Sequence, residues 1–383
     1  MEVEYIPGLK GVPAAKTEIC MIDTDAGEVW IRGYSLKELA VKAPYEEIAY
    51  LLLYGRLPRR KELDEFSKLM RDERTIPESV EKIIFSLPEG ASTMDMLRTG
   101  LSAVASYDPE LEDNSVEANR RKAVRIISKM GTLIGVIAGK LAGRRPLEPD
   151  PKLGHAENIL YMITGDDHDE FSRTTFKTIF SLYVEHGLAA STFTARVISS
   201  TLSDIYGAIV GAIAALKGPL HGRAMEKALE MILPLRDEEE AERKVLELLA
   251  RKERVMGFGH RIYKTGMDPR AKMLKEVLKE FCGRIGDDRL YRISVRMEEV
   301  MMREKGLYPN VDFYAGQLYH LLGIPTELFT PLFAASRSTG WSAHVVEQQA
   351  DNVLFRPKGV YVGKRGLRYK PIEERELGVE TVS

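Results

Sequence analysis

A mostly α-helical chain of two domains is what the sequence predicts, and three observations predict it. Apolar residues recur at the three- and four-residue spacing of a helix, as do Ala241, Val245, Leu248 and Leu249 in "EEEAERKVLELLARK". Strand signals are confined to the first fifty residues. The length, 383 residues, is that of roughly two domains and is ample for a large core.

Taken in order, "EICMID" and "EVWIRG" alternate as short strands and would pair as a small N-terminal hairpin around "TDAG", Thr24 to Gly27. From Ser191 to Leu216 the chain is crowded with Ala, Ser, Thr and Gly, which lets backbones approach closely. This stretch is expected to form one or two central buried helices, because no wide polar face can be found in it. In "MDPRAKMLKEVLKEFCG", Asp268 is the expected N-cap and Pro269 the first helical residue. Met273, Leu274, Val277, Leu278 and Phe281 form the buried stripe, and Gly283 is expected to end the helix. Residues 234–256 and 284–305 are far more charged and suit a peripheral unit. The expected division is a large domain of 1–222 plus 323–383, with a small mobile domain of 223–322 inserted in it.

Composition excludes more than it identifies. Lys+Arg 55 against Asp+Glu 57 offers no argument for nucleic acid or a membrane surface, and neither partner is expected. The most apolar run, "IYGAIVGAIAAL", is much shorter than the roughly 20 residues of a bilayer span. Only Cys20 and Cys282 occur, too few for a disulfide framework. "MEVEYIPGLKG" has neither a basic n-region nor an apolar h-region, so a cytoplasmic location is expected. No HExxH, no CxxC and no His pair at i, i+4 occurs, and no metal site is expected. In "GFGHRIYKT", Tyr263 replaces the glycine a P-loop needs and Ile262 the third glycine of GxGxxG. No GxSxG is present.

Against that background, three residue types in unusual places carry the chemistry. His221 in "GPLHG" and His260 in "GFGHR" each sit in a glycine-rich turn. An imidazole near the positive end of a helix is kept neutral and can donate a hydrogen bond to an oxygen gaining negative charge. Taken singly, each reads as an ordinary turn residue rather than a catalyst. Arg270 stands in the first turn of a helix, where the dipole disfavours a cation. Arg337 lies in "LFAASRSTGWSAH", a run of small and apolar residues expected to be buried. A buried guanidinium needs an anion, either an internal carboxylate or a ligand's. Two such arginines with two turn histidines suggest a small polycarboxylate ligand. Asp312, after Asn310 in "YPNVDFYAG", is either a stabilising first-turn carboxylate or a general base among apolar neighbours. Those two readings pull its pKa in opposite directions.

Four segments, in order and at the expected spacing, then make a resemblance. "VEHGLAASTFTARVISSTLSDIYGAIVGAIAALKGPLHG", "VMGFGHRIYKTGMDPRAK", "YPNVDFYAG" and "FAASRSTGWSAHVVEQ…LFRPKGVYVG" resemble citrate synthases. Upstream, "GLKGVPAAKTEICMIDTDAGEVWIRGYSLKELA" and "MDMLRTGLSAVASYDPE" are similar to the prokaryotic branch shared with 2-methylcitrate synthases. The resemblance runs from about Gly8 to Gly363. It implies a multi-helical fold of large and small domains and a homodimer, with no permanently bound cofactor and acetyl-CoA as co-substrate. It further implies that Asp312 takes a methyl proton from acetyl-CoA, that His221 hydrogen-bonds the thioester oxygen, and that His260 holds and protonates the oxaloacetate carbonyl. By the same resemblance His186, Arg270 and Arg337 would grip oxaloacetate, and Arg356 would complete the partner's site. Met256, Gly257, Phe258 and Gly259 would approach the CoA adenine, with Lys264 on a CoA phosphate.

The chain also departs from the family's pattern. Arg223 replaces a second glycine after His221, and the run between His260 and Arg270 is one residue longer. Gly187 and Ala190 stand where an acidic residue and asparagine or proline are more usual. All the implied acid–base positions survive, so an active enzyme is expected: citrate synthase first, 2-methylcitrate synthase second. A helical dimer that merely senses CoA or a dicarboxylate is the alternative of a different class.

Overall fold

A computed structural model describes residues 5–222, 224–260 and 266–375. Arg223 and Lys264 lie outside the described residues. Residues 17–354 form one compact unit. It opens with three antiparallel strands, β1 (Cys20–Asp23), β2 (Glu28–Ile31) and β3 (Tyr34–Ser35), in the order β1-β2-β3. Asp23 pairs with Glu28, so the hairpin turns through Thr24 to Gly27 as expected. The third strand, only two residues long, is too short to show an alternating pattern in the sequence.

Helices make up the rest. The first group is α1 (Leu36–Lys42), α2 (Tyr45–Tyr54), α3 (Arg60–Asp72), α4 (Glu78–Ser86), α5 (Thr93–Ala105) and the long α6 (Val116–Leu141). α7 (His155–Thr164), α8 (Glu170–Leu182), α9 (Ala190–Ser200) and α10 (Ile205–Leu216) follow. The segment expected as a small domain contains α11 (Ala224–Ile232), α12 (Glu238–Ala250), α13 (Pro269–Ile285), α14 (Arg289–Lys305) and α15 (Val311–Leu321). α16 (Phe329–Ala350) returns to the interior and is buried along nearly its whole length, packing against α6, α9 and α10. The small-residue stretch is thus two helices, α9 and α10, joined at Leu202 to Asp204.

Local signals explain most of the helix ends. Asp268 caps α13 by accepting from the Arg270 amide, and Asn310 caps α15 by accepting from the Asp312 amide. One end is corrected. α13 runs through Gly283 to Ile285 and stops at Gly286, which takes the left-handed φ of 72° that suits a glycine cap. Gly283 does not take a positive φ and stays within the last, exposed turn of the helix. The charges of α12 and α14 are spent on one another, as in Arg292–Glu238 and Arg303–Glu242, both at 2.8 Å. Such exposed pairs contribute about 0–1 kcal/mol each, so buried Ala241, Val245, Ile293 and Met297 hold this layer.

The described parts of residues 1–16 and 355–383 form a second unit, mostly without regular structure beyond short 3-10 turns at Pro7–Leu9 and Ile372–Glu374. Arg356 is exposed there. Among the described residues, no helix is long and apolar enough to cross a membrane.

Candidate active site

Widely separated stretches of the 17–354 unit line one cleft of about 820 Å³. It brings together His186, His221, His260, Arg270, Asp312 and Arg337. Each reaches it for a local reason.

His260 is delivered by backbone pairing between two distant motifs. Phe258 bridges to Pro309, the Gly259 amide donates to the Tyr308 carbonyl at 2.9 Å, and the Asn310 amide donates to the Gly257 carbonyl at 2.8 Å. Gly257 has φ of 83°, and a Cβ on it would lie 2.8 Å from the Phe313 ring, so only glycine suits this crossing. The pairing sets His260 beside the start of α15, where Asp312 sits. The rings of His260 and His186 meet edge to face at 5.6 Å. Phe258 packs on Phe313 at 4.7 Å, and Met256 is half-buried beside the core.

The arginines are both buried and both anchored. Asp268 answers the dipole objection to Arg270. It accepts from the Arg270 amide at 2.9 Å, from Nε at 3.1 Å and from a terminal nitrogen at 2.8 Å. Burial alone would raise the Asp268 carboxyl, but Arg270 overcomes it and holds the group below its ordinary range. Arg337, 2% exposed on α16, donates through Nε to the Tyr183 carbonyl at 2.6 Å and lies 4.8 Å over the Phe333 ring. α16 approaches the 184–186 segment closely because of Gly340, where a Cβ would fall 2.2 Å from Glu185 Oε2 and 2.5 Å from the Val184 carbonyl. Behind this contact His344 bonds Glu185 at 3.2 Å, and Arg196 reaches both His344 and Glu347.

The protonation states follow from burial. His186 is held well below its ordinary pKa by burial, then by Arg270, Arg337 and His260. His260 falls to about 4, through burial and Arg270, with Asp268 opposing. Both rings are neutral at neutral pH. The Asp312 carboxyl is raised by burial, which outweighs the hydrogen bond from Tyr183 and the nearby Arg270 and Arg337. Of the two directions left open for the Asp312 pKa, burial takes it upward.

Sequence reasoning missed three side chains here. Ser191, on the first turn of α9, lies 2.9 Å from His221 Nε2, and the Trp341 indole N–H donates to the same hydroxyl at 3.2 Å. The Ser191 oxygen accepts from Trp341, and a Ser191 hydrogen given to Nε2 would leave the His221 proton on Nδ1. Tyr183, capping α8, donates its hydroxyl hydrogen to Asp312 Oδ1 at 2.8 Å. The sequence signals were slight. Trp341 follows Arg337 by one helical turn, and Ser191 and Tyr183 flank His186 closely. No group of three or more His, Cys, Asp or Glu side chains among the described residues is placed to hold a metal ion.

The cleft thus offers a carboxylate of raised pKa, neutral imidazoles as hydrogen-bond donors, and two dehydrated cations. That set suits a dicarboxylate and a proton transfer beside it. Residues 8–358 match the family model for the citrate synthase C-terminal domain. The chain belongs to the citrate synthase family. It is 44% identical over 361 residues to the citrate/2-methylcitrate synthase of Bacillus subtilis (strain 168), covering 94% of this chain and 97% of that one. It is 42% identical over 365 residues to the citrate synthase of Heyndrickxia coagulans, covering 95% and 98%. The citrate synthase of the archaeon Thermoplasma acidophilum, solved as a ternary complex with carboxymethyl coenzyme A and oxaloacetate, superposes with a TM-score of 0.91 at 33% identity. That match covers 97% of this chain and 100% of the other. The citrate synthase fold, mostly helical behind a small N-terminal sheet, is therefore the fold of this chain.

Proposed function

We propose that the chain joins the methyl carbon of acetyl-CoA to the carbonyl carbon of oxaloacetate and hydrolyses the citryl-CoA formed to citrate and CoA. The observation that carries this reading is the convergence of Asp312, His221 and His260 with two buried arginines in one cleft. A thioester methyl is a weak acid, and a carboxylate alone cannot take its proton at a useful rate. In this reading Asp312 takes the proton while His221, neutral and with its proton on Nδ1, stabilises the charge on the thioester oxygen. Such positioned acid–base groups contribute about 10²–10⁴-fold each. His260, neutral at working pH, holds the oxaloacetate carbonyl and gives it a proton as the carbon–carbon bond forms. Arg270, Arg337 and His186 bind the carboxylates.

The remainder of the reading follows the same logic. Met256 to Gly259 would contact the CoA adenine, and Lys264 a CoA phosphate. Residues 223–322 would move as a small domain and close over oxaloacetate, limiting water's access to the thioester. The working unit would be a cytoplasmic homodimer in which Arg356 completes the partner's site. The Bacillus subtilis relative's double name favours a second reading, 2-methylcitrate formation from propionyl-CoA. One methylene in an apolar pocket is worth about 1–3 kcal/mol, within reach of a few lining residues.

Release of CoA thiol from oxaloacetate plus acetyl-CoA or propionyl-CoA tests both, with wild type beside Asp312→Asn. A higher kcat/KM with acetyl-CoA, lost in the variant, supports citrate formation and the base together. A preference for propionyl-CoA changes the product and keeps the mechanism. No thiol release from the folded protein with either substrate overturns the reading in favour of a sensor.

A further inference from the structure

The tyrosine at the end of α8 joins the two sides of the reaction. Tyr183 is 1% exposed. Its backbone carbonyl accepts from Arg337 Nε at 2.6 Å, its ring packs on Phe333 at 4.8 Å, and its hydroxyl donates to Asp312 Oδ1 at 2.8 Å. One residue therefore touches both a substrate-side arginine on α16 and the carboxylate on α15. A carboxylate on a short side chain can rotate about its last bond. A donor on one oxygen stops that rotation and divides the work between the two oxygens.

We propose that Tyr183 is a positioning residue for the base: its phenol holds Asp312 Oδ1, fixes the carboxylate plane, and leaves Oδ2 to receive the proton. The inference rests on the reading of Asp312 as the base. In the step it serves, the methyl C–H bond breaks and the proton passes to Oδ2. The electron pair moves into the new carbon–carbon double bond as the thioester oxygen takes the negative charge, which His221 Nδ1–H stabilises. The phenol keeps its own proton throughout, since burial and the facing Asp312 charge hold its ionisation well above the ordinary tyrosine range.

The hydrogen bond also opposes burial. It favours the ionised carboxylate in a cleft that otherwise raises its pKa. The other charged or titratable groups facing Asp312 and Tyr183 are Arg270 and Asp268 at the start of α13, Arg337 on α16 and Tyr319 on α15. His186, His221 and His260 line the same cleft. None of these is altered when the phenol oxygen alone is removed.

Tyr183→Phe does this, keeping the ring on Phe333 and the carbonyl on Arg337. Loss of a hydrogen bond to a charged group should lower kcat about 10- to 100-fold. The KM for oxaloacetate should stay within about twofold, because the groups that bind it are unchanged. The acid limb of the kcat/KM profile should move to higher pH, since the carboxyl loses the donor that favours its ionised form. A buried tyrosine with a purely structural role would move none of the pH profile. 3-Fluorotyrosine at position 183, a stronger donor of nearly the same shape, should shift the acid limb to lower pH. It keeps the test open if Tyr183→Phe does not fold. Unchanged acid limbs in the folded variants overturn the positioning role while an inactive Asp312→Asn leaves the base standing. Turnover retained in Asp312→Asn overturns both.

Discussion

At the scale of single residues, the cleft works by pairing each costly group with a specific neighbour. Arg270, only 3% exposed, has Asp268 as its fixed anion. Removing one partner of a buried pair leaves an uncompensated charge and costs about 3–5 kcal/mol. Asp268→Asn is therefore expected to lower the thermal midpoint clearly without ligand. Oxaloacetate should restore more stability to it than to wild type, because the ligand supplies the missing anion; calorimetry with and without oxaloacetate checks this. Ser191 links His221 to the Trp341 indole. Ser191→Ala removes the hydroxyl partner of Nε2, so the proposed Nδ1 tautomer loses its lock. Steady-state thiol release should show kcat lowered about 10-fold or more, the loss of roughly one hydrogen bond's worth of selection between tautomers. Far-ultraviolet circular dichroism should be unchanged.

Among the elements, α16 sets the geometry. It carries Phe333, Arg337, Gly340 and Trp341 on successive turns, and Gly340 is where the 184–186 segment leans against it. A Cβ there would stand 2.2 Å from Glu185 Oε2, and the second clash, with the Val184 carbonyl, is with backbone that cannot swing aside. Gly340→Ala is expected to destabilise by about 1–3 kcal/mol, the usual cost of overpacking. It should also raise the KM for oxaloacetate, since His186 and Arg337 flank that contact. Denaturant midpoints and oxaloacetate titrations read the two effects separately.

Over the whole molecule, buried neutral histidines tie stability to pH. His155 stacks on Tyr45 at 5.2 Å, neither ring nitrogen has a hydrogen-bond partner, and burial, then Arg74, hold its pKa down to about 3. His260, at about 4, acts in the same direction. The sign follows. Above about pH 6.5 these rings are neutral whether folded or unfolded, so they impose no pH dependence. Below it the unfolded chain takes up protons that the folded chain refuses. Stability therefore falls as pH drops toward the folded values, by about 1.4 kcal/mol per pH unit for each such ring. Unfolding titrations between pH 7 and pH 5 should show that slope, and His155→Phe should make it shallower.

Much of this was legible beforehand, for a physical reason. Helix spacing, the Asp268 and Asn310 caps and the turn from Thr24 to Gly27 depend on torsional preferences and hydrogen bonds within a few residues. So they are written locally, and so are the motifs that mark the citrate synthase family and the cleft residues. The end of α13 was misjudged at Gly283 because the later glycine, Gly286, is the one that takes the left-handed turn. Tertiary structure alone decided the direction of the Asp312 pKa shift, because the same carboxylate could be lowered by a helix start or raised by burial. Tyr183, Ser191 and Trp341 escaped sequence reasoning because their partners lie 129, 30 and 150 residues away along the chain. Desolvation and long-range hydrogen bonds exist only once distant segments meet. Local sequence could therefore name the candidate residues of this cleft, while the packing of α8, α15 and α16 determined the directions of their pKa shifts and their partners.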